Sequence, residues 1–76
     1  MANELSRKII RLRKAQDAHE ATFCPRCGAN ELDSELDFNA ISRYADVYIC
    51  DDCEGEEGML EMLGDPMPIE EWDIFN

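Results

Sequence analysis

At 76 residues with a formal charge of −11, the chain has room for one small domain, and a chain this short buries only about 60% of the surface its unfolded form exposes. A hydrophobic core alone is marginal at that size, so a staple is expected. The excess of carboxylates opposes binding to nucleic acid or to an anionic membrane surface and favours a basic partner. The first twenty residues are charged and offer no leader-like apolar run. No membrane span is expected either, and a reducing cytoplasm is the expected compartment.

Charge is divided along the chain. Residues 1–22 hold Arg7, Lys8, Arg11, Arg13 and Lys14 against three acids, a net of +2, whereas residues 23–76 hold Arg26 and Arg43 against fifteen, a net of −13. Two regions follow: a basic amphipathic helical arm over 1–22 and an acidic metal-stabilised domain over 23–76. In the arm Asn3 can cap a helix, and no Gly or Pro intervenes before Pro25. Leu5, Ile9, Leu12, Gln16 and His19 fall on one stripe, with Phe23 in line if the helix runs that far. This short heptad seam packs on the body of the protein or on a copy of itself, as a homodimer. Ile10 lies instead among Arg7, Arg13 and Lys14 on the outer face, as a candidate contact point. The five arm cations are the candidate phosphate contacts if the arm binds nucleic acid, against repulsion from the acidic body. His19 has no second histidine beside it and reads as a helix-surface or packing residue.

All four cysteines fall in two C-x-x-C pairs, Cys24-Pro-Arg-Cys27-Gly28 and Cys50-Asp-Asp-Cys53, with twenty-two residues between them. Each pair supplies two thiolates from one tight turn, and four thiolates close a tetrahedral site, which is the pattern of a zinc ribbon with one structural Zn2+. Two disulfides are the competing reading, disfavoured in a reducing compartment. Iron in the same site, as in an electron carrier of the rubredoxin kind, is another. Structural zinc contributes on the order of 10–16 kcal/mol in small peptides, so metal binding and folding should be one event. A closed four-thiolate site leaves no open position for catalysis, and no serine–histidine or cysteine–histidine pair remains to be assembled.

Pro25 and Gly28 suit the first knuckle, since Gly28 can take the left-handed conformation that aims amides at sulfur. The second pair has Glu54 directly after its last cysteine. Arg26 offsets the negative charge of the first half, whereas Asp51, Asp52 and Glu54 add to that of the second. The second pair should therefore release metal first.

Between the pairs, Glu31-Leu-Asp-Ser-Glu-Leu-Asp-Phe38 and Tyr44-Ala-Asp-Val-Tyr-Ile49 read as two strands of a hairpin, turning over residues 39–43. Glu56 and Glu57 then precede Met59, Leu60, Met62 and Leu63, a short apolar helix ended by Gly64-Asp-Pro66. Its methionines suit an irregular core first and an adaptable binding surface second. Ile69, Trp72 and Phe75 recur every third residue and should fold back as one turn over the ribbon. Otherwise they form a partner-binding hot spot. The fold class is thus a small α+β metal-stabilised domain: a zinc ribbon with an N-terminal helix and a short C-terminal helix.

From Cys24-Pro-Arg-Cys-Gly through Asn39-Ala-Ile-Ser-Arg-Tyr-Ala-Asp-Val-Tyr-Ile-Cys-Asp-Asp-Cys to Pro66-Met-Pro-Ile-Glu-Glu-Trp, the chain resembles short zinc-ribbon proteins encoded by phages and mobile elements of Gram-positive bacteria. The resemblance implies the fold, a bound metal and a bacterial or phage origin, and it implies no activity. A non-enzymatic regulator that binds a basic partner protein is the first functional expectation. Candidate contacts are Met59, Met62, Trp72, Phe75 and Ile10. A sharper version is an acidic inhibitor seated in the nucleic-acid groove of a host enzyme; nucleic-acid binding through the arm is the alternative.

Overall fold

The computed structural model describes residues 4–76. Its elements are α1 (Glu4–Asp17), β1 (Ala40–Ile41), β2 (Tyr48–Ile49) and α2 (Asp51–Met62), with single 3-10 turns at Leu36–Phe38, Ile69–Glu71 and Asp73–Phe75. The Asn3 cap lies outside the described residues.

Helix α1 buries Leu12 and Gln16 and rests Ile9 against the core, as its apolar stripe requires. It stops short of the expected length. His19 takes a left-handed conformation, φ 60°, the Glu20 amide donates to the Ala15 carbonyl at 2.8 Å, and the His19 amide donates to Gln16 at 3.0 Å. These are the two bonds of a Schellman termination. His19 therefore turns the chain rather than extending the stripe, and both it and Phe23 face solvent.

The chain then makes one antiparallel bridge, Phe23 with Glu31, around the first cysteine loop. Residues 31–38 do not continue as a strand, contrary to their alternation. Asn39 Oδ1 accepts from the Asp33 amide at 2.8 Å, Asn39 Nδ2 donates to the Asp33 carbonyl at 2.9 Å, and Asp33 Oδ1 accepts from the Glu35 amide at 2.9 Å. Local side chains thus take the backbone groups that a ladder needs, and Leu36–Phe38 coils into a turn. The hairpin lies later, with Ala40 paired to Ile49 and Ile41 to Tyr48. The residues expected as its turn supply its first strand.

Helix α2 begins five residues before the acids Glu56 and Glu57 that were expected to head it. Cys50 is its N-cap, its sulfur accepting from the Cys53 amide. Asp51, Asp52 and Glu54 occupy the first turn, where negative charge meets the positive end of the helix dipole. Gly64 ends the helix at φ 75°, with the Asp65 amide reaching the Leu60 carbonyl at 3.0 Å. Both helices close with the same motif.

The core gathers Leu12, Leu32, Val47, Tyr48, Ile49 and Trp72 around the cysteines. The tail folds back as two 3-10 turns rather than one, with Trp72 extended between them. Asp73 and Ile74 donate their amides to the carbonyls of Arg26 and Pro25 at 3.2 and 3.1 Å. Met59, Met62 and Leu63 are not core: they are 57%, 87% and 72% exposed. Among the described residues no helix is long and apolar enough to cross a membrane.

Candidate metal centre

Two different local structures bring the four cysteines together. Cys24 and Cys27 lie on the loop closed by the Cys24 amide to Asn30 carbonyl bond at 2.8 Å. Within it Gly28 is left-handed, φ 69°, and a Cβ there would run into the Asp73 carboxylate; the tail and the loop thus require glycine for two reasons. Cys50 leaves β2 and caps α2, and Cys53 sits in the first helical turn. The second pair is therefore a strand-to-helix junction, not a second knuckle of the ribbon kind.

The four sulfurs lie within 4.8 Å of one another. Cys24 and Cys53 are 3.7 Å apart and Cys27 and Cys50 3.9 Å. Tetrahedral zinc with Zn–S bonds of about 2.3 Å places its sulfurs about 3.8 Å apart. A disulfide needs about 2.05 Å, and all four cysteines are free. The donor set and its spacing fit one metal ion.

Hydrogen bonds orient the sulfurs. The Cys50 amide donates to Cys24 Sγ at 3.3 Å, the Cys53 amide to Cys50 Sγ at 3.4 Å, and Asn30 Nδ2 to Cys50 Sγ at 3.3 Å. Cys24, Cys50 and Cys53 are buried and Cys27 is half-buried. Burial pushes the Cys24 thiol up, with the neighbouring amides pulling against it. It pushes the Cys53 thiol much further, although Arg26 opposes the rise. At Cys27 the modest burial is outweighed by the Ala29 and Asn30 amides, which bring the thiol down to about 7. Such a pocket tolerates four thiolates only when a cation shares it.

Arg26 lies between Cys24 and Cys27 in sequence but serves the other pair. Its side chain is buried, Nη1 donating to Glu56 Oε1 at 2.9 Å with Nε 3.9 Å from Glu57 Oε2. Nε and Nη2 complete no hydrogen bond; the guanidinium stands beside the Cys53 sulfur, and each favours the charged form of the other. A buried cation with two unanswered donors fits a sulfur cluster that stays negative after binding a divalent ion. One part of the premise for early metal release from the second pair is corrected, because the arginine assigned to the first pair stands beside Cys53 of the second.

Glu57 was not anticipated. It is 2% exposed, accepts from Ser42 Oγ at 2.6 Å and from the Arg43 amide at 3.0 Å, and ties α2 to the hairpin turn. Its signal was its place one helical turn after Cys53, on the same face, which becomes visible only once α2 is known to start at Asp51.

The candidate contact residues do not converge. Trp72 is fully buried and Phe75 stacks on it, centroids 6.4 Å apart, so Trp72 has no surface to offer. Met59 and Met62 stand on the outer face of α2 and Ile10, 54% exposed, on α1. Of the arm cations, Arg13 bonds Asp46 at 2.7 Å and Asp17 at 3.2 Å and lies over the Tyr48 ring, 4.6 Å from its centroid. Lys8 pairs with Glu4. Arg7, Arg11 and Lys14 form no ion pair among the described residues and follow i, i+4, i+7 spacing along one face.

Comparison with known proteins finds no family model, no curated protein and no solved structure that matches the chain.

Proposed function

We propose that the chain is a non-enzymatic, zinc-stapled regulator that offers an acidic surface to a basic partner protein in a bacterial cytoplasm. The observation that carries this reading is that both cations of residues 23–76 are engaged by carboxylates of the same region. Arg26 is buried against Glu56 and Glu57, and Arg43 is clamped to Glu61 at 2.9 Å and Glu54 at 3.7 Å. Apart from Asp46, which pairs with Arg13, the other carboxylates of that region face water with no ion pair among the described residues, and such a field steers basic surfaces toward it. Zinc is the metal that four thiolates at this spacing suit, in a closed site whose role is to hold the fold. The zinc ribbon becomes a variant in which the second cysteine pair caps a helix. The net charge of −13 over residues 23–76 motivates a sharper form, an inhibitor that occupies the nucleic-acid groove of a host enzyme.

Fluorescence anisotropy of the labelled, metal-loaded protein tests the reading against a basic DNA-binding protein and against DNA. Binding to the basic protein that weakens steeply with salt, and that DNA displaces, is the expected result. Absence of binding at low salt would sink it.

A second reading rests on Arg7, Arg11 and Lys14, the cations of the outer face of α1 that form no ion pair among the described residues. They provide a stripe for phosphates, and retardation of DNA by the wild type but not by a triple alanine variant would favour it.

A further inference from the structure

We propose that the outer face of α2 is a docking face for a basic amphipathic helix of a partner protein, which crosses closest at Gly55. The proposal rests on the acidic-regulator reading and says where on the surface the partner sits. At about 100° per residue, Cys53 and Glu57 point inward, and Asp52, Gly55, Met59, Met62 and Leu63 lie on the opposite side. The apolar end of this face is bare, since Met59, Met62 and Leu63 are all well over half exposed. At its other end Asp51 and Asp52 are exposed and pair with no cation among the described residues. Arg43, which neutralises Glu54 and Glu61, lies along the flank beside Gly58 and leaves this face free.

Gly55 supplies a separate observation. Glycine in a helix interior weakens the helix relative to alanine, and such a residue normally answers to a close approach from within the fold. A Cβ at Gly55 would meet nothing within 4 Å, so no contact among the described residues accounts for it. A notch between two aspartates and a methionine ridge admits a second helix backbone, with methionine adapting to its side chains. The charge fixes the occupant: carboxylates call for Lys or Arg on the incoming helix. Two copies of a chain carrying −11 repel each other, which favours a foreign helix over a second copy.

The test uses the isotope-labelled, metal-loaded full chain and two synthetic peptides of identical leucine and lysine composition. One is arranged as an amphipathic helix and the other scrambled to have no apolar face. The amphipathic peptide should bind at least about tenfold more tightly, with the largest amide shifts over residues 51–63. Gly55→Ala should raise the melting temperature of the free protein while weakening that peptide about tenfold, a pair of opposite effects that a purely structural glycine does not produce. Unchanged peptide affinity in Gly55→Ala overturns the close approach. A footprint on residues 31–38 overturns the docking face and leaves the basic-partner reading standing, whereas failure of both peptides to bind at low salt removes both. Shifts on α2 that grow with protein concentration alone would assign the face to a second copy and overturn the foreign helix.

Discussion

Gln16 and Tyr48 are joined by two reciprocal hydrogen bonds: Gln16 Nε2 donates to the Tyr48 carbonyl at 2.9 Å, and the Tyr48 amide donates to Gln16 Oε1 at 2.9 Å. A side-chain amide thereby substitutes for a third strand at the free edge of β2, and it fastens α1 to the hairpin. Gln16→Ala leaves two buried backbone groups without partners, each worth about 1–3 kcal/mol. A loss of about 2–4 kcal/mol in urea unfolding is expected, with the metal still bound.

The sulfur cluster predicts one metal ion per chain. Elemental analysis should find one equivalent, and chelation should abolish the cooperative fold, as should Cys24→Ser. Thiolates bind the metal and protons compete for them, so retention is complete at high pH and fails as pH falls. Metal that dissociates from a chain keeping its native circular dichroism would contradict the coupling of binding to folding.

Glu57 accepts from a hydroxyl and an amide, with a buried guanidinium 3.9 Å away. Glu57→Ala removes one of the two carboxylates facing the buried Arg26 and should destabilise the protein by about 3–5 kcal/mol. Glu57→Gln keeps the shape but turns one acceptor into a donor facing donors, and should also lower the melting temperature. A double-mutant cycle with Ser42→Ala should show coupling of about 0.5–3 kcal/mol; additivity would mean that the 2.6 Å contact contributes little.

At Gly28 two effects can be separated. Gly28→Ala forces a side chain into a left-handed backbone, about 1–2 kcal/mol, and also drives it against the Asp73 carboxylate. Asp73→Ala in the same chain should recover the collision and leave the backbone strain. Thermal melts of the two single variants and the double variant would read this as a partial rescue, and its absence would place the whole effect in the backbone.

Legibility of the fold from sequence followed the range of the interactions involved. The cysteine pairs could be read because ligand chemistry demands residue type and local spacing, and the Leu12 and Gln16 face because it repeats along one helix. Gly64 as a stop needed only its own backbone freedom. The start of α2 was hidden because its cap is a sulfur and because Gly55 and Gly58 are poor helix formers. The hairpin was displaced because the Asn39 side chain bonds the Asp33 backbone and the Asp33 side chain the Glu35 amide, which alternation does not encode. The three-residue spacing made the return of Trp72 over the domain legible, whereas the burial of Arg26 beside Cys53 was not, since the loop and the helix that hold it meet only in the fold.

Trp72 is the one tryptophan of the chain, and it is fully buried in a tail hung by two amides from Pro25 and Arg26, the residues between the first two sulfurs. Loosening that loop should expose the indole to water and shift its emission to the red. Tryptophan emission is therefore expected to follow metal removal in a cuvette without any added label.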